Sequence, residues 1–215
     1  MLLMAVDISL VACKDSQPAL TLISDVFSRY SPLHKSQNIS PSDYRRYLED
    51  IWRDYIFGSK NISLVAHDNE SGSLDGCLIA MPFGDESTDI TGLPQNQQPI
   101  ASLLHKLEQM YSVPDRYDVS DVLLVDLAVV RRNSRRRGIY GKMRAEVHRI
   151  AKLRGYRFVV GALSSAETQS FCIDKMHQRV VAQIPYASFS YKNSYPFESI
   201  KKPERIVLVE HCLED

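Results

Sequence analysis

Apolar positions along this chain repeat with two periods, one close to two residues and one close to 3.6 residues. The first period predicts strands and the second predicts amphipathic helices. The predicted strands are the apolar run within residues 1–15 and the segments 62–66, 76–80, 122–130, 156–163, 180–191 and 205–212. The predicted helices start near residues 17, 41, 100, 139 and 165. Strands that alternate with helices in this way predict an α/β protein.

Local signals mark several of these boundaries. Ser40 followed by Pro41 is a typical helix start, with a hydroxyl cap and a proline in the first turn. Ser164 and Glu167 have the spacing of a capping box, so we expect the late helix to start there. A polar segment rich in Gly, Ser and Asp, 68–75, separates two strands and predicts a hairpin.

The most informative segment is a strand, a turn and a helix within residues 122–153. The apolar strand leads into Arg135-Arg136-Arg137-Gly138-Ile139-Tyr140-Gly141, and the helix after it has apolar residues on one face until it stops at Arg154-Gly155. The first N–H groups of a helix have no intrahelical partner, and the helix dipole adds about half a positive charge there. Gly138 allows close backbone approach. The segment therefore predicts a cradle for a pyrophosphate.

A basic run such as Arg-Arg-Asn-Ser-Arg-Arg-Arg also occurs in solvated loops, nuclear-localisation signals and nucleic-acid patches. The whole chain has 26 basic and 26 acidic residues and no net charge. Because proteins that bind nucleic acid electrostatically usually carry a basic excess, the composition favours the cradle and predicts no nucleic-acid partner.

Length and composition predict one compact domain, 1–215, since 215 residues with 44% hydrophobic content can bury a substantial core. The apolar start is interrupted by Asp7, lacks a basic leading region and is too short to cross a bilayer. Four scattered cysteines without a Cys-x-x-Cys pair suit free thiols. We therefore expect a cytoplasmic protein without a membrane segment. The histidine spacing predicts no metal site.

The strand and turn resemble the acyl-CoA-binding motif of the GCN5-related N-acetyltransferase (GNAT) superfamily, Arg/Gln-x-x-Gly-x-Gly/Ala after a strand that ends in Leu-Ala-Val. Arg135 and Gly138 match the first and fourth positions. Tyr140 departs from the sixth position, and Gly141 lies one residue late. An early helix ending in Phe-x-x-x-Ser-Pro-Leu is similar to the insect arylalkylamine N-acyltransferase branch. The resemblance implies a mixed, mostly antiparallel sheet flanked by helices, with a splayed acyl-CoA cleft.

The resemblance also implies where acetyl-CoA, or another acyl-CoA, would bind as co-substrate. The main chain of the turn and helix start would hold the pyrophosphate, and the strand would pair with the pantetheine arm. The implied donor-binding residues are Leu127, Ala128, Val129, Arg135, Arg136, Arg137, Gly138, Ile139, Tyr140 and Gly141. The main-chain N–H near Val129 would polarise the thioester carbonyl.

The acid–base residues of the family are replaced here. The branch has a glutamate base immediately before Pro-Leu, and this chain has Ser31 at that position. The tyrosine that serves as acid elsewhere in the superfamily corresponds to Ile173. Asp126 is our candidate catalytic base, because a carboxylate inside an apolar strand is costly unless it is paired or faces a cleft. A purely structural carboxylate held by a neighbouring donor is the alternative for Asp126. His34, which follows the Pro-Leu turn, is the second candidate base.

The residues around the Pro-Leu turn, Tyr30, Ser31 and His34, are candidates for binding the acceptor. We expect an acyl-CoA-dependent N-acyltransferase, monomeric or homodimeric, that acts on a small primary amine such as an arylalkylamine. A protein or peptide N-acetyltransferase and a non-catalytic acyl-CoA-binding protein remain as alternatives.

Overall fold

A computed structural model describes residues 6–58, 60–84 and 90–214, with only the backbone of Asp54. Its centre is a seven-stranded sheet in the order β1-β2-β3-β4-β5-β7-β6. The strands are β1 Val6–Leu10, β2 Ile62–Asp68, β3 Leu74–Pro82, β4 Val122–Val130, β5 Phe158–Leu163, β6 Arg179–Pro185 and β7 Arg205–Cys212. All neighbouring pairs are antiparallel except β4 and β5, which are parallel.

Helices cover both faces of this sheet. They are α1 Ser16–Tyr30, α2 Pro32–Ser36, α3 Pro41–Phe57, α4 Gln98–Gln109, α5 Ile139–Leu153 and α6 Ala166–Ser170. The apolar sides of α1, α3 and α4 pack on one face, in a core that includes Leu124 and Leu127. Helix α5 packs on the other face, where Met143 and Val147 meet Leu123 and Val125 of β4. None of the helices in these ranges is long and apolar enough to cross a membrane.

Most boundaries agree with the sequence prediction. Strand β4 spans the predicted residues 122–130, and α5 stops before Gly155, which has a positive φ of 87°. The Ser40 hydroxyl accepts a hydrogen bond from the Asp43 N–H at 3.1 Å and so caps α3 as predicted. The first strand is described only from Val6, and the predicted residues 1–5 lie outside the described part of the chain.

Three local predictions were wrong. The strand predicted over 180–191 ends at Pro185, because Tyr186–Ser188 turn into a short 3₁₀ helix. Ser165, not Ser164, caps α6, since its hydroxyl accepts the Thr168 N–H at 3.2 Å. Helix α6 is only five residues long and continues as a π-helical turn, Phe171–Lys175. The short helix α2 was not predicted.

Strands β4 and β5 form a fork in the sheet. Their parallel pairing runs from Val122↔Phe158 to Val125↔Gly161 and stops there. Beyond this point β4 continues to Val130 beside β3 alone, and β5 continues to Leu163 beside β7 alone. The two strands thus leave facing edges without a strand partner, which is the predicted splayed cleft.

Candidate active site

Asp126 lies in a β-bulge one residue beyond the fork. On β3, Ile79 pairs with Leu127 and the next residue, Ala80, pairs with Val125, so Asp126 has no cross-strand partner. A bulge places an extra residue in one strand and redirects its side chain. Here it breaks the alternation of faces, because Asp126 and Leu127 both line the same cavity although they are adjacent in sequence.

The environment of Asp126 is that of a proton acceptor. Burial raises the pKa of its carboxyl to about 6. The Tyr55 hydroxyl donates a hydrogen bond to Asp126 Oδ2. The sequence analysis did not identify Tyr55 as a site residue, because it appeared only as one of the apolar and aromatic positions of α3. Asp126 is thus held by a neighbouring donor, as the structural alternative predicts. Its carboxylate also lines an open cavity, as the catalytic interpretation requires.

That space is a cavity of about 880 Å³ between β4 and the helices α1, α3 and α4. The rings of Phe27, Tyr44, Tyr47 and Tyr55 line it, and Asp126 lies at its sheet side. Two further carboxylates, Asp50 and Glu108, and two basic residues, Lys60 and His105, also line it. Four aromatic rings and a basic carboxylate form a site that suits an aromatic or aliphatic ammonium group.

The three residues predicted to bind the acceptor have different surroundings. His34 lines the cavity with only 6% of its surface exposed, and its ring lies 4.6 Å from that of Tyr44. Burial lowers the pKa of His34 to about 4, so the ring is neutral near pH 7. The Ser31 hydroxyl lies 3.1 Å from His34 Nδ1 and caps α2, and thus supports His34. Tyr30 does not line the cavity; its ring stacks against Arg132 and Arg135 at the cradle.

The cradle has the backbone shape expected of an anion site. Gly138 caps α5 with a φ of 76°, and Arg136 also has a positive φ of 66°. A Cβ on Gly138 would have no atom within 4 Å, so the backbone there borders open space. Left-handed residues at Arg136 and Gly138 let the main chain turn its N–H groups to one side, as in backbone sites that bind anions. The Ile139 side chain is buried in the core, which leaves only its main chain for a ligand.

The arginines of the motif do not act alike. Arg137 is turned back toward the β2–β3 hairpin, where its Nη2 lies 2.6 Å from Asp68 Oδ2 and its Nη1 lies 3.1 Å from Asp75 Oδ2. Asp75 also accepts the Ser134 hydroxyl at 2.6 Å. The prediction of Arg137 as a donor-binding residue is therefore restricted to its main chain. Arg135 and Arg136 have exposed side chains at the rim.

Tyr140 and Gly141 depart from the family motif for a structural reason. The Tyr140 hydroxyl lies 3.3 Å from Cys172 Sγ, and its ring packs edge-on against Phe171. A Cβ on Gly141 would lie 2.7 Å from the Phe171 ring, so only glycine fits there. The Tyr140 side chain is therefore packed against Cys172 and Phe171, and its role at the pyrophosphate stays a prediction. No local pattern predicts the contact between Gly141 and Phe171, because the two residues are thirty positions apart.

The cradle and the cavity lie on opposite faces of the sheet and meet at the fork. Helix α5 lies on the face of Val125 and Ala128, and the cavity lies on the face of Leu127 and Val129. Among the described residues, no group of three or more His, Cys, Asp or Glu side chains could hold a metal ion. The fork, where β4 and β5 no longer pair, lies between these two faces.

No protein-family model matches this sequence, and no curated protein matches it. Solved structures do match. The C-terminal condensation domain of Ebony, in complex with beta-alanyl-dopamine, aligns with a TM-score of 0.86 at 16% identity, over 97% of this chain and 99% of that one. Arylalkylamine N-acetyltransferase 2 from Aedes aegypti aligns with a TM-score of 0.78 at 14% identity, over 97% and 99%.

A polyamine N-acetyltransferase from Drosophila melanogaster, described as forming N-acetylagmatine, aligns with a TM-score of 0.75 at 13% identity, over 97% of this chain and 100% of that one. Identities this low establish the architecture rather than the activity. The alignments nevertheless extend over nearly the whole of both chains. The chain therefore has the GNAT fold, which it shares with insect arylalkylamine N-acetyltransferases.

Proposed function

We propose that this protein is an N-acyltransferase that transfers an acetyl or other acyl group from acyl-CoA to a small primary amine, with arylalkylamines as the favoured acceptors. One observation carries the proposal. The Asp126 carboxyl, with a pKa of about 6, faces an aromatic cavity beside the fork. A basic group at this point is what amide formation from an ammonium substrate requires.

The donor side is built mostly from main chain. The cradle at Gly138 offers N–H groups to a pyrophosphate, and the β4 edge from Leu127 to Val129 has no strand partner toward β5. An extended pantetheine arm can therefore pair with β4 as an added strand. The fork then directs its thioester toward Asp126. Because positioning of this kind removes entropy from the reaction, it supplies much of the rate.

The acceptor side must hold an amine and remove a proton from it. An alkyl ammonium has a pKa near ~10.4, so it is mostly protonated at neutral pH and cannot attack. At pH 7 the Asp126 carboxylate is ionised, and its raised pKa makes it a better base than an ordinary aspartate. Tyr55 holds it by a hydrogen bond, and the surrounding rings can contact an aromatic or aliphatic amine.

The reaction balances without a metal or a covalent enzyme intermediate. The ammonium gives one proton to Asp126, directly or through a water molecule, and its nitrogen forms a bond to the thioester carbon. The carbon–sulfur bond then breaks and sulfur keeps the electron pair. The nitrogen loses its second proton as the amide forms, and the CoA thiolate takes up one proton.

The two alternatives fit the site less well. A peptide acetyltransferase needs an open groove, whereas α3 and α4 flank this cavity and apolar residues of both helices line it. A non-catalytic acyl-CoA binder needs no base, and Ser31 contacts His34 and does not serve as a base. In our proposal Asp126 is the base in place of Ser31.

The test is an acyl-transfer assay with purified protein and acetyl-CoA. The amine panel contains tyramine, dopamine, tryptamine, agmatine, spermidine and a lysine peptide, and the release of CoA thiol is measured together with the amide product. We expect turnover with the arylalkylamines and little with the peptide. Turnover confined to the peptide would favour a peptide acetyltransferase. CoA binding without turnover on any amine, with activity created by Ser31→Glu, would identify a binder that has lost its base.

A further inference from the structure

Arg144 is a buried cation without a counterion. It lies on the second turn of α5 with 1% of its surface exposed. Its Nη2 donates a hydrogen bond to Gln178 Oε1 at 3.1 Å, and its Nε has no hydrogen-bond partner. No carboxylate of the described residues forms an ion pair with it. An arginine stays charged in proteins, and a buried unpaired charge is costly.

The groups around Arg144 do not neutralise it. Tyr140 and His148 flank it on α5, Cys172 lies beyond Tyr140, and His211 on β7 stacks on His148 with ring centroids 4.3 Å apart. Burial and the charge of Arg144 lower the pKa of His148 to about 3 and also lower that of His211. Both histidines are therefore neutral near pH 7. The neutral histidines and the Gln178 amide therefore leave the positive charge of Arg144 uncompensated.

The fork between β4 and β5 lies beside Arg144. Gly161 is the last β5 residue that pairs with β4. A Cβ built on Gly161 would lie 3.3 Å from Arg144 Nη1 and 3.3 Å from the Val125 carbonyl oxygen. The Arg144 guanidinium thus lies next to the point where β4 and β5 separate. Gly161 has no side chain that would separate the guanidinium from the Val125 backbone. Asp126 and Leu127, beside which the proposed thioester lies, follow Val125 directly.

Amide formation from a thioester leaves a negative charge on sulfur at this place. The bond from carbon to sulfur breaks with the electron pair on sulfur, and a fixed positive charge in a low-dielectric interior stabilises such an anion strongly. We propose that the Arg144 guanidinium, acting from beneath the fork, stabilises the CoA thiolate as it leaves. This inference rests on the proposed function. Arg144 acts through its field rather than by contact with the substrate, so we describe it as an electrostatic positioning residue.

The direct test measures the ionisation of the CoA thiol in the binary complex. The ultraviolet absorbance of the thiolate is followed against pH, and the complex with desulfo-CoA is subtracted to remove the protein's own cysteines and tyrosines. In the wild type we expect a thiol pKa below that of free CoA. Arg144→Met should raise it by about one pH unit or more, because an opposite charge nearby shifts pKa values by one to three units. Arg144→Lys should keep most of the shift.

The matched control is Arg149→Met, on the same helix, because Arg149 is exposed and paired with Glu146 at 2.7 Å. It should leave the thiol pKa and the turnover unchanged. In acetyl transfer, Arg144→Met should lower kcat at least tenfold with little change in KM for the amine. If Arg144→Met fails to fold, Arg144→Gln replaces it, since a neutral amide can still contact Gln178 and should shift the thiol pKa in the same direction.

Two results separate the inference from the function beneath it. Binding of CoA and desulfo-CoA to the wild type, with a thiol pKa that Arg144→Met and Arg144→Gln leave unchanged, overturns the role of Arg144 and leaves the transferase proposal intact. Failure of the wild type to bind either molecule overturns both.

Discussion

At the scale of single residues, Asp126 reconciles two requirements that oppose each other. A strand in the middle of a sheet favours apolar side chains, and a base needs a carboxylate that opens to its substrate. The bulge at Asp126 meets both, because it removes this residue from the ladder while Val125 and Leu127 stay paired. Burial then raises the pKa of the carboxyl, which improves the base and lowers the stability of the fold at neutral pH.

Asp126→Asn should lower acyl transfer by a hundredfold or more at pH 7, because the amide keeps the shape but accepts no proton. In the wild type, kcat/KM should rise with pH through about 6 as the carboxyl ionises. The variant should lose that rise while CoA affinity stays the same. Rates measured from pH 5 to 9 with one amine check this. An Asp126→Asn enzyme as active as wild type across that range would exclude Asp126 and point to His34 or water.

The same substitution should stabilise the folded protein at neutral pH. The carboxyl has a pKa of about 6 when folded and about 3.9 when unfolded, so the folded state holds its proton more tightly. The free energy of unfolding therefore falls as pH rises from about 4 to about 6. Asn cannot ionise, so Asp126→Asn should remove this fall, by at most about 3 kcal/mol. Urea unfolding of both proteins at pH 4 and pH 7 measures it, and an equal difference at both pH values would contradict the shift.

Tyr140 illustrates a motif departure with a packing cause. Its hydroxyl lies 3.3 Å from Cys172 Sγ, and its ring packs edge-on against Phe171. Tyr140→Phe should cost about 1 kcal/mol of stability, the usual value of one hydrogen bond, and leave CoA affinity within about twofold. Thermal unfolding and calorimetric titration give the two values. A tenfold loss of CoA affinity without a loss of stability would show that the phenol contacts the ligand after all.

At the scale of elements, the cradle is held by the hairpin of β2 and β3. Asp75, at the start of β3, accepts Ser134 and Arg137 and pairs with Arg131 at 3.3 Å. Each of these partners lies in the loop between β4 and α5. The hairpin thereby fixes the loop from below, while the main chain above it stays free for a ligand. A ligand site built this way loses little entropy on binding.

Asp75→Ala should therefore weaken CoA binding without removing any group that touches CoA. Arg137 would keep its pair with Asp68 and Arg131 reaches solvent, so the main loss is the buried acceptor of the Ser134 hydroxyl, and we expect a cost of about 1 to 3 kcal/mol of stability. The control is Asp25→Ala, which breaks the exposed pair with Arg29 within α1 and should cost under about 0.5 kcal/mol. Titration calorimetry on both variants checks this. Unchanged CoA affinity in a folded Asp75→Ala protein would show that the loop holds its shape alone.

At the scale of the whole molecule, the sequence predicts those features that depend on residues close together in the chain. The strand 122–130, the start of α3 at Ser40 and the end of α5 before Gly155 follow from local periodicity and capping. The fork, the bulge at Asp126 and the pairing of the cradle loop with the hairpin depend on which distant strands lie side by side. No local pattern encodes that register, so the cleft was predicted only from the resemblance to a known fold. The burial of Arg144 was not predicted, because it too depends on distant strands.

A final prediction concerns the whole chain as a ligand-binding unit. A ligand that binds only the folded state at a hundredfold excess over its dissociation constant adds roughly 2.7 kcal/mol of stability. We expect acetyl-CoA to do so, because the cradle and the β4 edge exist only when β4, β5 and α5 are in place.

Gly138→Asp should abolish the stabilisation by acetyl-CoA, since a carboxylate would enter the open space beside the cradle and the residue would have to keep a positive φ. Gly72→Asp is the matched control, because Gly72 also has a positive φ with open space around it but lies in the β2–β3 turn. Thermal unfolding of the three proteins with and without acetyl-CoA separates the backbone strain, common to both variants, from the loss of binding. A wild-type protein that is not stabilised by millimolar acetyl-CoA would refute acyl-CoA binding and leave only the fold.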